Sequence, residues 1–271
     1  DTRDGSAIWS DRYERSLADV FRTQQEISTA VAGALARHLG LAGGAPRQEY
    51  AADPAAYDLY LRARYALRER GEAGLRSAMR LFSEAASRDP SFARAHAGIA
   101  EAAVLLPIYS TVTRNAIADT VRASAARAVA LDSLLGSPHV ALGLLEKGLG
   151  RWADGERELV AALRLDPHDA SAHQNLGELY YTLGRFADSR QALARAAEYE
   201  PTDAAIVAEF AYMLAQTGAR DSARRVIARA ATSSPRNPFV AYTQGVVAEL
   251  DGDRAAVRRQ PSSAASRRRR R

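Results

Sequence analysis

The chain has 271 residues, 47% apolar and 25% charged, with no cysteine. A substantial core is affordable on that composition, and disulfides, thiolate metal sites and thiol nucleophiles are excluded. The formal charge of +5 sits at one end: residues 254–271 hold eight arginines and no acid, and without them 29 basic side chains face 32 acidic ones. Ala, Leu, Arg and Glu dominate and favour helix, while β-branched residues are too sparse for a large sheet. No apolar run reaches the roughly 20 residues that span a bilayer; the longest, around 102–109, contains Pro107. The chain opens Asp-Thr-Arg-Asp-Gly, with neither an initiator Met nor an apolar leader, and reads as a fragment or processed product of something longer.

Taken in chain order, residues 6–13 predict a short strand centred on Ile8 and Trp9, after an Asp-Gly turn. Ser16 is an N-cap for a helix running through Leu39, with Leu17, Val20, Phe21, Ile27, Val31 and Leu35 on one broad face. Gly40 ends it, and residues 41–54, with Gly43-Gly44-Ala45-Pro46, read as a linker. From 55 to 253 the pattern is one of paired helices. The first pair is closed by Pro90 and holds Tyr65-Ala66, Ala78, Phe82 and Ala85. The second closes 43 residues later, at Leu131-Asp132-Ser133; helices over 92–106 and 115–131 leave its surplus as a long loop around 106–114. Beyond it, Pro167, Pro201 and Pro235 recur every 34 residues. A final half unit starts at Pro238, runs through Gly245 to Gly252 and breaks at Arg258-Arg259-Gln260-Pro261.

The spacing inside the units is as regular as the prolines. Counting back from Pro201 gives Leu176-Gly177, Tyr180, Gly184, Phe186, Leu193 and Ala196. The same slots before Pro167 hold Leu142-Gly143, Gly150, Trp152, Leu159 and Ala162; before Pro235 they hold Phe210-Ala211, Leu214, Gly218, Ile227 and Ala230. Small residues at 143, 177 and 211 let the two helices of a unit approach closely. Gly150, Gly184 and Gly218 fall in the turn between them, where a positive φ is expected. In kind, spacing and 34-residue period these positions resemble the tetratricopeptide repeat (TPR). The resemblance implies an all-α superhelical solenoid of antiparallel helix pairs, five repeats and a half, with a concave channel lined by the first helix of each pair.

Asp4-Gly5, Ile8-Trp9, Asp11-Arg12-Tyr13, Phe21, Gln24-Gln25-Glu26-Ile27 and Leu35 resemble the last strand and helix of a TolB-like domain. Ala56-Tyr57-Asp58-Leu59-Tyr60-Leu61-Arg62 is similar to the start of the first repeat in bacterial proteins that join the two. That implies a remnant over 1–40, a linker over 41–54, repeats over 55–253 and an arginine-rich tail over 254–271. In such proteins the amino-terminal effector is a Ser/Thr kinase, a nucleotide cyclase or a winged-helix DNA-binding domain. The tail, too poor in apolar residues to fold, is open to two readings. One is a basic arm for nucleic acid or an acidic surface. The other, preferred because it also explains the broken last repeat, is a frame-shifted or truncated end of a GC-rich gene.

No phosphate-binding glycine loop, dinucleotide fingerprint, zinc-protease helix, nucleophile elbow or kinase signature is present, so no enzyme, cofactor or metal is expected. His96, His139 and His173 share an early slot of successive units, but neighbouring helices stand about 8–10 Å apart and zinc–nitrogen bonds need about 2.0 Å; packing is the expected role. His38 and His168 are expected in solvent, and Glu156/Glu158 and Asp166/Asp169 as surface charges. Tyr180 is expected to pack inward. Carried over by slot from the resemblance, the partner-binding channel takes Gln174, Glu178 and Tyr181, then Ala208, Tyr212 and Gln216, then Tyr242 and Glu249. Rings bury area and amides satisfy a backbone, so a protein or peptide is the expected partner and nucleic acid is not. Lys147, the chain's one lysine, is too little to clamp a terminal carboxylate. The sequence names no compartment, the cytoplasm being the default.

Overall fold

A computed structural model describes residues 53–69, 71–250 and 252, with Ile27, Ala30 and Val31, which are helical. The expected strand over 6–13, most of the helix over 16–39, most of the linker and the tail over 254–271 lie outside the described residues. Among the described residues the chain is an all-α solenoid. Its helices are α1 (Pro54–Arg68), α2 (Glu72–Arg88), α3 (Ala93–Tyr109), α4 (Arg114–Leu131), α5 (Ser137–Gly148), α6 (Trp152–Leu165), α7 (Ala170–Thr182), α8 (Phe186–Tyr199), α9 (Ala204–Gln216), α10 (Arg220–Ser233) and α11 (Pro238–Leu250). Each odd-numbered helix packs on the even one after it, α11 being the unpaired half.

Local chemistry repeats with the period. Asp169 and Asp203 cap α7 and α9 by accepting from the Ala172 and the Ala205 and Ile206 amides. Asn237 does the same for α11. These three side chains are 34 residues apart, and a cap of this kind stabilises by about 1 kcal/mol. The inter-helix turns close as expected: Gly150, Gly184 and Gly218 have φ of 77°, 73° and 86°. The amides of Arg151, Arg185 and Ala219 then reach back to the carbonyls of Glu146, Tyr180 and Leu214 at 2.8–2.9 Å, using carbonyls a helix end otherwise leaves unpaired. Gly252 has the same conformation, φ 76°.

The small residues sit where the helices of a pair cross. A Cβ on Gly143 would stand 2.6 Å from Cγ of Leu159, and on Gly177 2.5 Å from Cγ of Leu193. Both leucines are buried, each worth about 1.5–3 kcal/mol in removed apolar surface. The Ser189 hydroxyl donates to the Gly177 carbonyl at 2.7 Å, tying the crossing with a buried bond.

The second pair departs from expectation. Its extra residues are not a long loop. α3 has 17 residues and α4 has 18, against 12–14 in α5 to α10, and only residues 110–113 join them. Four residues are about one helical turn, so the surplus lengthens each helix without rotating its buried face. α3 runs through Pro107, which forgoes its own ladder bond, and ends two residues later.

Candidate concave interaction site

The odd-numbered helices of neighbouring pairs meet, α3 against α5, α5 against α7 and α9 against α11, and their exposed sides form one face. A groove of about 460 Å³ runs along it from α1 to α7. Its apolar wall is Leu105, Ile108, Val140 and Leu144, with Ile108 59% exposed. Its charges come largely in pairs: Arg64 bonds Glu101 at 2.8 Å, and the Lys147 ammonium bonds Glu178 and the Asn175 side-chain oxygen. Arg114 lies over Gly148 at the carboxyl end of α5, where any side chain in place of glycine would strike it.

Of the sequence-predicted residues, Gln174 and Glu178 line this groove. Gln174 donates to Glu209 at 2.7 Å. Burial, and next the Glu178 carboxylate beside it, push the Glu209 carboxyl up to about 8. A proton held between the Glu209 and Glu178 carboxyls makes a hydrogen bond of what would otherwise be a like-charge contact. Tyr181, Tyr212 and Tyr242 belong to a second feature, an aromatic ladder. Tyr181 meets Phe186 at 5.6 Å and Tyr212 at 6.3 Å; Tyr212 stacks on Tyr242 at 6.2 Å, and Tyr242 on Phe239 at 6.2 Å. The tyrosines are 31 and 30 residues apart, not 34, so each lies about one turn earlier on its helix than the last. All but Tyr212 are exposed. Burial, then the Tyr212 hydroxyl, raise the Tyr181 phenol above its usual value.

Gln216 and Glu249 are exposed near the ends of α9 and α11. Ala208 is not a channel residue: it is fully buried among Val207, Ala211 and Ile227. The slot argument misplaced it because a helix covered on two sides buries some of the positions an end helix would expose. Sequence reasoning missed Arg64, Glu101, Leu105, Ile108 and Arg114, which lie in the two long pairs where the 34-residue ruler fails. Val140, Leu144 and Lys147 were within reach, being 34 residues before Gln174, Glu178 and Tyr181. Lys147 also has company in Arg64 and Arg114, although its own charge is already matched by Glu178.

The histidines pack rather than converge. Nε2 of His173 bonds the Pro167 carbonyl at 3.0 Å with the ring 5.5 Å from Tyr199. His96 repeats this towards Pro90 at 3.4 Å, and His139 instead meets Glu158 at 2.9 Å. Desolvation holds the His96 imidazole below its usual range. Tyr180 is half-buried against the Leu159–Leu179 cluster, with the Arg185 guanidinium 4.0 Å above its ring. Glu156 pairs with Arg185, and Asp166 accepts from the His168 amide. Among the described residues no group of three or more acidic or histidine side chains is arranged to hold a metal, and no helix is long and apolar enough to cross a membrane.

Residues 148–208 match the tetratricopeptide repeat family. The fold is similar to that of Pseudomonas aeruginosa PilF, with a TM-score of 0.57 and 18% identity over 75% of this chain and 87% of that one. It is similar too to PilW, a type IV pilus biogenesis factor, at 0.58 and 18% over 76% and 90%. A third likeness is a thermophilic TPR protein of Thermus thermophilus, TTC0263, at 0.56 and 19% over 72% and 98%. In sequence, 97 residues are 35% identical to a Rhizobium meliloti (strain 1021) protein named "Putative adenylate cyclase 3"; the match spans 35% of this chain and 16% of that protein's length.

Proposed function

We propose that this chain is a non-catalytic interaction scaffold that holds a peptide or partner protein against its concave face. The observation that carries this reading is the continuity of that face. A groove with an apolar wall leads to a run of largely exposed rings packed on one another along the following odd-numbered helices, and rings offer large contact area at low entropic cost. The paired charges of the groove suit recognition better than chemistry, since each cation with an acid beside it is a ready hydrogen-bonding edge and not a poised acid or base. Gln174, Glu178, Tyr181, Tyr212, Gln216 and Tyr242 are the contact residues of this reading, now joined by Leu105, Ile108 and Leu144.

The division of the chain into a TolB-like remnant over 1–40, a linker, repeats over 55–253 and a tail belongs to the same proposal. So does its place as the docking or sensory arm of a larger bacterial regulatory protein. The relative named as an adenylate cyclase supports that placement, because the matched stretch is a small part of that longer protein.

The test is to pan a random-peptide display library on the chain and measure the selected peptides by calorimetry. Tyr212→Ala and Leu144→Arg are each expected to weaken binding by about tenfold or more, as buried anchors do. Selected peptides that bind both variants as tightly as the parent would place recognition elsewhere.

A further inference from the structure

Among the described residues, α1 exposes apolar side chains at positions that the later units cover. The crossing points fix the comparison. The Ala66 carbonyl lies 2.8 Å from where a Cβ on Gly74 would stand, the Gly143 carbonyl 3.2 Å from that point on Gly155, and the Gly177 carbonyl takes the Ser189 hydroxyl. Ala66, Gly143 and Gly177 also stand at the same distance before the closing prolines Pro90, Pro167 and Pro201, so they are equivalent, and so are the positions one and five residues before them. In α7 these are Leu176 and Ala172, 4% and 0% exposed; in α5 they are the partly buried Leu142 and the buried Pro138. In α9, counting from Ala211, they are the partly buried Phe210 and Ile206, 5% exposed. The preceding even-numbered helix covers them: Leu176 clusters with Leu159 of α6, and Ile206 with Ala196 of α8. In α1 the same two positions are Tyr65 and Leu61, 71% and 46% exposed, at the rim of a depression of about 470 Å³ that reaches Leu81.

We propose that the segment over 16–39, whose sequence pattern predicts an amphipathic helix, docks on α1 through Leu61 and Tyr65, in the place a preceding even-numbered helix would take, and so caps the solenoid. The occupant follows from the chain itself. What covers these positions in the later units is the helix immediately before in sequence, and the helix predicted before α1 would carry Leu17, Val20, Phe21, Ile27, Val31 and Leu35 on one face. Ile27, Ala30 and Val31 have helical backbone. The twelve residues over 41–52 reach up to about 40 Å, several times the roughly 8–10 Å between packed helices. A terminal repeat with an uncovered apolar face needs such a cap.

Cysteine pairs test this, since the chain has no cysteine of its own. Tyr65→Cys is combined in the full chain with Ile27→Cys, Val31→Cys or Leu35→Cys, and with Glu26→Cys, which lies on the opposite side of the helix. On mild oxidation the apolar-face pairs should close within one chain, at an effective concentration on the order of millimolar, and the Glu26 pair should lag. Disulfide-linked dimers instead would mean that a second copy covers the end, and failure of all three apolar-face pairs would mean that nothing docks there; either overturns the proposal. As a check free of new thiols, Leu61→Glu with Tyr65→Glu should speed amide exchange over 16–39 by about tenfold or more while α5 to α10 keep their protection. Unchanged exchange over 16–39 would also overturn it.

Discussion

The first two helix pairs and the next three solve the same packing problem in different ways. From α5 to α10, short helices cross at glycine or alanine and turn on a glycine with positive φ. From α1 to α4 the helices have 15–18 residues, and the turns use no such glycine: Gly71 is extended, with φ of −171°, and Thr113 caps α4 by accepting from the Ala116 amide. The buried face also becomes more polar along the chain, a change that begins after α5. Eight residues after the closing position stand Gly98 and Ala141 early in the chain, then Asn175, Glu209 and Thr243. Asn175 and Glu209 have partners, and the buried Thr243 hydroxyl has none among the described residues. A 34-residue period is therefore a property of one kind of turn. Whole helical turns can be added wherever another turn closes the pair, because they leave the buried face in register.

Breaking a crossing in the strict repeats should have the largest effect. Gly177→Leu drives a side chain into Leu193 and is expected to cost about 3 kcal/mol or more, lowering the melting temperature by roughly 5–10 °C; an unchanged calorimetric transition would mean that the pair does not close there. Next comes pH. The Glu209 carboxyl is raised in the folded state, to about 8 from 4.5. Its contribution is therefore fully present below about 4.5 and lost as pH rises towards 8. The melting temperature of the parent minus that of Glu209→Gln should fall steadily across that window, and a flat difference would contradict the pairing with Glu178.

The turns sharpen the comparison further. Nothing lies within 4 Å of a Cβ on Gly184, so Gly184→Ala carries backbone strain alone, about 1–2 kcal/mol, measurable in urea. Asp203→Ala removes two accepted hydrogen bonds at the start of α9 and should cost about 1 kcal/mol. Smallest is Gly71→Ser in the first pair, where the backbone is extended and the nearest atom is 3.8 Å away. It adds a cap to α2 and should leave stability unchanged or raise it by about 0.5 kcal/mol. A loss there as large as at Gly184 would erase the distinction between the two regions.

Much of the solenoid was legible because its determinants are local and repeated. Prolines 34 apart ended helices within the residue or two before them, glycines at 150, 184 and 218 took the left-handed turn, and Gly143 and Gly177 marked crossings. The caps at Asp169, Asp203 and Asn237 carried the same period and could have been read from it. The second pair was misread because a ruler of fixed length cannot tell one added turn on each helix from an added loop. Ala208 went to the channel for a related reason: slot equivalence gives a direction around a helix but not which neighbours cover it.

By itself, then, the sequence determined the class of fold, the turns and the helix pairing, all set by φ preferences, capping and the spacing of small residues along one chain. Tertiary structure alone decided what the grooved face is made of. Residues as distant as Arg64 and Glu178 line one groove, Tyr181, Tyr212 and Tyr242 meet on a diagonal that no 34-residue count predicts, and burial, with Glu178 beside it, pushes the Glu209 carboxyl up. Packing between units sets those distances, and they depend on the rotation from one pair to the next, which no single repeat encodes.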